Sequence, residues 1–353
     1  MDPPEHRQQL DPPSSGSAAI SRKERAPIPR PDVVQDVTLR TLADSQWRHR
    51  MTTVPAAIRW RMAAGVLLAT LLASCGEPPV KPSPVSLAGH VVFTSHRTGG
   101  WRIWAMRPDG SAQRALVPSF RGYLTRPSIS PDGSTVAFVA LGDIHTVRAD
   151  GSDLRQITSG AAFEWLPIWS PDGSGIAFYS DRSGNGDVYF VEPDGTGLRQ
   201  LTSSPETEYP GSWSADGSLL LFSREDPEYR WVIAMVDRNG TDRGIIPVPV
   251  GGYSPSLSPD GSQFVYQSSW NPELRIADIS GANDRLLLTE GSNPDNPQWS
   301  PDGAWILYDA VLPWVYDHVT SREILLVRPD GSERRRLTED PEMDFEARWG
   351  PVK

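Results

Sequence analysis

Apolar residues in this chain come in short bursts, not at helical spacing. Six runs of three each close on an aromatic: Val91-Val92-Phe93, Val136-Ala137-Phe138, Ile176-Ala177-Phe178, Leu220-Leu221-Phe222, Phe264-Val265-Tyr266 and Ile306-Leu307-Tyr308. All but the first follow one turn: 128–133 (S-I-S-P-D-G), 168–173 (I-W-S-P-D-G), 212–217 (S-W-S-A-D-G), 256–261 (S-L-S-P-D-G) and 298–303 (Q-W-S-P-D-G). A worn copy, R-W-G-P, occupies 348–351. In such a turn Pro presets φ, Asp bonds the backbone ahead of it, and Gly takes the positive φ. The turn's serine falls at 130, 170, 214, 258 and 300, at intervals of 40, 44, 44 and 42. A near-constant period of this size marks one repeated supersecondary unit.

Each unit holds more. A third run follows, at 102–106, 143–147, 187–191, 231–235, 273–277 and 322–327, and most end in a second turn such as Pro193-Asp194-Gly195. A polar fourth run ends on Thr at 154–158, 198–202, 285–289 and 335–338. Four short strands joined by tight turns, without helical periodicity, predict one antiparallel sheet per unit. A lone sheet of this size buries neither face, so such units stack radially as propeller blades. Second, third and fourth strands occur six times, while the sixth first strand is 345–349 at the chain's end. The expectation is an all-β, six-bladed propeller over 90–353. Its ring closes where the C-terminal strand pairs with the N-terminal blade, which leaves no open edge.

The region before the repeats is unlike them. Residues 1–50 are Pro-rich and charged with no periodic apolar pattern, which reads as disorder or as an over-long start, with Met51 the alternative first residue. Residues 51–74 carry Arg59 and Arg61 ahead of an apolar and small-residue run, the layout of a signal peptide. The run closes on Leu72-Ala73-Ser74-Cys75, which resembles the bacterial lipobox at all four positions. That resemblance implies that Cys75 is acylated and becomes the mature N-terminus, and Gly76 after it implies sorting to the outer membrane. Residues 75–89 then form a short tether.

Residues 1–74 hold 10 basic and 7 acidic side chains of the chain's 34 and 44, which leaves the remainder at −13. That charge repels phosphate backbones, so no nucleic-acid partner is expected. Cys75 is the only cysteine, so no disulfide staples the fold.

The unit W-S-P-D-G … I-A-F … D-V-Y-F-V-E-P-D-G … L-R-Q-L-T, over about 90–353, resembles the propeller repeat of the TolB family. Dipeptidyl-peptidase-type enzymes carry the same repeat. The resemblance implies a periplasmic or cell-surface scaffold, acting as a monomer, that binds an envelope protein or peptide. The α/β domain that precedes the TolB propeller and the hydrolase domain of the peptidases have no counterpart in the repeats.

Propeller geometry puts the two P-D-G turns of each blade on one face. The varied loops share the other face, where function usually lies. Aligning the entries to the first strands places Trp165, Tyr209, Tyr253 and Phe345 in one ring, with Thr125 and Asp295 in the remaining blades. Glu164, Glu208 and Asp344 stand one residue further out. As a solvated rim, such aromatics and acids suit a peptide or cationic partner; the bland alternative is packing between blades. A second candidate is the insertion at 310–323, with Trp314, Tyr316 and His318. Residues 181–192 have EF-hand spacing, but 187–192 read as a blade strand, so a plain hairpin is expected and no metal.

Catalytic signals are absent. There is no G-x-S-x-G elbow, and His90, His96, His145 and His318 show no ligand spacing. The first functional expectation is a non-enzymatic, lipid-anchored interaction scaffold without a cofactor. The second is a carbohydrate- or peptide-processing enzyme, similar to oligogalacturonide lyases, that uses the propeller channel.

Overall fold

The structure is a computed structural model that describes residues 88–351, apart from 229, 290–292 and 314–319. Cys75, the signal-like segment and nearly all of the expected tether therefore lie outside the described residues, as do Trp314, Tyr316 and His318.

Six four-stranded antiparallel sheets form the ring. In chain order, β1 (Val91–Ser95), β2 (Arg102–Met106) and β3 (Arg114–Ala115) come first. The second blade is β4 (Leu124–Ile129), β5 (Thr135–Ala140), β6 (Asp143–Arg148) and β7 (Arg155–Gln156). The third is β8 (Glu164–Trp169), β9 (Ile176–Ser180), β10 (Asp187–Val191) and β11 (Arg199–Gln200). The fourth is β12 (Glu208–Trp213), β13 (Leu219–Glu225), β14 (Trp231–Asp237) and β15 (Asp242–Ile246). The fifth is β16 (Gly252–Leu257), β17 (Gln263–Ser268), β18 (Glu273–Asp278) and β19 (Arg285–Thr289). The sixth is β20 (Asp295–Trp299), β21 (Ile306–Pro313), β22 (Thr320–Val327) and β23 (Arg334–Arg336). Finally β24 (Asp344–Trp349) returns to β1 and completes the first blade.

Closure is antiparallel, with Val91 opposite Trp349 and Ser95 opposite Asp344. Gly350 N–H donates to His90 O at 2.6 Å beyond the strand ends. This is the expected six-bladed ring, sealed where the sequence placed the seal.

The repeated turn is a small hydrogen-bond circuit. Ser130 Oγ donates to Asp132 Oδ1 at 2.6 Å, and Asp132 Oδ1 accepts the Ser134 N–H at 3.0 Å. The Thr135 N–H returns to Ser130 Oγ at 3.0 Å. Gly133 sits at φ 72°, where a side chain is strained. The same circuit recurs around Asp172, Asp216, Asp260 and Asp302.

The apolar runs explain the packing. Alternate residues of a strand point to opposite faces, and both faces of an inner blade strand are covered. Val136 and Phe138 pack towards the first blade, while Ala137 and Val139 pack towards the third. There are six such clusters, one per seam, and the seam between the sixth and first blades joins Leu307, Ile324 and Leu326 to Val91, Phe93 and Ala347. Six seams for six blades leave none open.

Every first strand carries a bulge. In five of them one residue takes a positive φ of 50–57°: Arg126, Leu166, Ser254, Asn296 and Glu346. Bulges bend a strand and re-aim a side chain. In the fourth blade Pro210 cannot adopt that φ. Gly211 follows it, and a Cβ there would stand 2.6 Å from Pro255 Cγ of the next blade. The blades are laced at this level by serines: Trp169 N–H donates to Ser128 Oγ at 3.2 Å and Leu257 N–H to Ser212 Oγ at 2.8 Å.

Candidate functional site

Glu164, Glu208 and Asp344 open their inner strands, yet none is a solvated rim charge. Each is almost fully buried, at 1%, 0% and 0% exposure. Arg182, Arg224 and Arg97, from the hairpins that join second to third strands, pair with them in turn; Arg224 Nε lies 2.7 Å from Glu208 Oε1. Thr158, from the blade before, donates its hydroxyl to Glu164 while accepting the Ile144 N–H at 2.9 Å. Thr202 takes the same place at Glu208 and accepts the Val188 N–H at 3.0 Å. Glu164 and Glu208 therefore tie neighbouring blades together, whereas Asp344 is held by Arg97 within the first blade. Burial outweighs the arginines and raises all three carboxyls, Asp344 to about 6.

The aromatic ring divides. Trp165, Tyr209 and Tyr253 line a recess of about 270 Å³ together with Leu166, Pro210 and Trp231. Tyr209 packs on Trp231 with ring centroids 5.2 Å apart and meets Trp165 edge-on at 6.0 Å. Phe345 instead packs edge-on against Trp101 at 5.0 Å. Asp295 stays at the recess.

A charged network that the sequence did not disclose fills the other side. Arg126 stacks over Trp165 at 4.2 Å and donates to Asn296 Oδ1 at 3.0 Å. Its Nε lies 2.7 Å from Glu346 Oε1, an ion pair without hydrogen-bond alignment. Glu346 also accepts from Thr94 Oγ1 and from the Arg126 N–H, each at 2.8 Å. Asn296 donates to Asp309 at 3.0 Å, and Arg322 bridges Asp309 and Asp295. Burial raises the Glu346 and Asp295 carboxyls. Arg348 also lines the recess, and burial with Arg126 nearby lowers it to about 10.

Tyr253 further borders a broader cavity of about 610 Å³, with Gln267, Asn271, Val311 and the exposed Trp270. Trp270 sits in the β17–β18 hairpin, a loop of the varied face that the ring alignment did not include. The insertion at 310–323 is in part regular structure: β21 and β22 pair out to Pro313 and Thr320, which lengthens the hairpin.

Residues 181–186 form the expected hairpin between β9 and β10, with Asp181 Oδ1 accepting the Phe163 N–H at 2.7 Å. Glu192 lies at the opposite end of β10, beside Thr196. His145 is buried and stacks on Phe138 at 5.9 Å. Among the described residues, no group of three or more His, Cys, Asp or Glu is placed to hold a metal ion.

The family described as TolB beta propeller domain matches residues 72–282, more than half of the chain. The chain belongs to the TolB propeller family. Among relatives, a TolB homolog of Chlorobium luteolum is 28% identical over 27% of this chain and 32% of its own length. The Tol-Pal system protein TolB of Anaeromyxobacter dehalogenans is 34% identical over 22% and 19%. Dipeptidyl-peptidase 5 of Porphyromonas gingivalis is 33% identical over 23% of this chain and 14% of the enzyme. The chain thus spans a third or less of these relatives. TolB from Acinetobacter baumannii superposes with a TM-score of 0.64 at 18% identity, covering 76% of this chain and 68% of that one. A TolB from Agrobacterium tumefaciens gives 0.58 at 19% identity, over 74% and 98%. At such identities these two superpositions establish the fold alone.

Proposed function

We propose that this TolB-type propeller is a non-enzymatic scaffold, exported and held by acyl chains on Cys75 at the outer membrane, facing the periplasm or the cell surface. As a monomer it docks an envelope protein or peptide on the face that bears Trp165, Tyr209, Tyr253 and Trp270. One observation carries this reading: that face offers aromatic side chains around an open recess, whereas the opposite face repeats one self-satisfied Ser–Asp turn. Aromatics at the lip of a pocket are the residues that anchor partners. The clasp acids contribute rigidity to this face, not contact. The names of the Tol-Pal relatives support an envelope partner. The test is a pull-down from solubilised envelopes with the wild-type chain and a Trp165→Ala/Tyr209→Ala variant. The variant is expected to lose a partner that the wild type retains; identical partner lists remove this face from the reading.

A further inference from the structure

Among the described residues, the recess holds a guanidinium, that of Arg348, with no hydrogen bond or ion pair to the fold. Of the charged side chains lining it, Arg126 is engaged by Glu346 and Asn296, and Asp295 by Arg322 and the Asn296 N–H at 2.7 Å. Gln298 donates to Pro297 O at 2.8 Å, and Ser223 Oγ accepts the Ser254 N–H at 3.1 Å. Among the described residues, nothing hydrogen-bonds or ion-pairs with Arg348. It sits on β24 opposite Val92, so its backbone is fixed while its five N–H donors are unspent.

The side chain is half-buried, so its donors open into the recess, and a planar guanidinium is matched best by a carboxylate that takes two parallel hydrogen bonds. The same recess is lined by Trp165, Leu166, Tyr209, Pro210 and Trp231, which give it apolar surface beside its polar groups. A compact cavity with apolar side chains and a few placed polar groups is the form of a small-molecule site. We propose that the recess binds a small organic acid, its carboxylate on Arg348 and its apolar body against Tyr209 and Trp231.

The volume of about 270 Å³ sets the size class: a single ring with a short acidic arm, not an extended chain. Arg126, Arg322 and Arg348 balance Asp295, Asp309 and Glu346 in number, so no excess charge attracts the ligand. The selectivity lies in the unmade hydrogen bonds of Arg348. A neutral isostere of the acid therefore separates this site from a merely greasy pocket. The site stands whether or not the surrounding face docks a protein.

The test titrates the purified propeller with 3-phenylpropionate and with its primary amide, read by quenching of tryptophan fluorescence and by calorimetry. The acid is expected to bind saturably, and the amide at least tenfold more weakly. Arg348→Gln is expected to weaken the acid at least tenfold and leave the amide unchanged. Arg348→Lys, which keeps the charge but not the fork, should fall between. Since Arg348 makes no hydrogen bond or ion pair among the described residues, its variants should unfold close to the wild-type midpoint. Equal binding of acid and amide, undiminished binding by Arg348→Gln, or no saturation by a few millimolar acid each overturns the proposal. The acid–amide comparison needs only the wild-type chain, so it decides even if a variant fails to fold.

Discussion

Arg182, in the hairpin between β9 and β10, is ion-paired with Glu164, the buried first residue of β8. The pair lies 18 residues apart in sequence and ties the outer hairpin of a blade to its inner strand. Thr158 extends the tie to the blade before. Breaking a buried pair from one side leaves an uncompensated charge, which costs about 3–5 kcal/mol. Arg182→Ala should therefore destabilise the propeller by about 3 kcal/mol. Glu164→Gln, which keeps a hydrogen-bond acceptor for Thr158, should cost less. Urea unfolding measures both, and an Arg182→Ala chain as stable as wild type would show that the clasp holds nothing.

This pair also shows where sequence reading stops. The 42-residue rhythm disclosed the blades, their strands and the closing strand, because turn chemistry and alternation are local. The acids were visible in the sequence, but their burial depends on arginines that arrive a hairpin later. The signal was present: a serine with an arginine one or two residues on, Ser95 and Arg97, Ser180 and Arg182, and Ser223-Arg224, stands at the end of each of these second strands. The charged network at the recess was less legible. Arg126 and Asn296 precede prolines, which normally hold the preceding residue extended. The bulge instead turns them to positive φ, and both line the recess, which no local rule announces.

Ring closure predicts equal seams. Phe93 lies in the seam closed by β24, and Phe178 in an interior seam made by consecutive blades. Both are fully buried. Phe→Ala in a packed core costs about 3–5 kcal/mol. In a sealed ring the two substitutions should cost the same within about 1 kcal/mol. If the terminal strands parted in solution, Phe93→Ala would be nearly free in denaturant unfolding while Phe178→Ala stayed expensive.

Two sets of carboxyls oppose each other in pH. Hydrogen bonds, first from the Ser214 and Ser258 hydroxyls, hold Asp216 and Asp260 at about 2, below their ordinary 3.8. A depressed acid stabilises fully above its unfolded value, and that contribution is lost as pH falls from about 4 to 2. Asp344 runs the other way: burial raises it from 3.8 to about 6. Its contribution is complete below about 4 and is lost as pH rises towards 6. Stability should thus fall on both sides of an acidic optimum. Asp216→Asn with Asp260→Asn should flatten the acid limb, and Asp344→Asn the limb between pH 4 and 6. Urea midpoints measured from pH 2 to 7 read both slopes; parallel curves for wild type and Asp344→Asn would contradict the assignment of that carboxyl.

The proposed anchor makes the last prediction. Leu72-Ala73-Ser74-Cys75 directly precedes a Pro-rich stretch that leads into β1. One acyl chain gives marginal membrane binding, whereas two or more hold a protein firmly. Acylation at Cys75 would keep the propeller on the membrane through salt and carbonate washes that strip adsorbed proteins. Cys75→Ser removes the only thiol in the chain, so no second cysteine can take its place. The expected outcome is a variant that is not labelled by radioactive palmitate, retains its leader and migrates more slowly than the processed wild type. A folded propeller of wild-type stability should accompany that loss, because the acyl site lies ahead of the first blade. Equal palmitate labelling of the serine variant would falsify the anchor while leaving the ring, its clasps and its recess untouched.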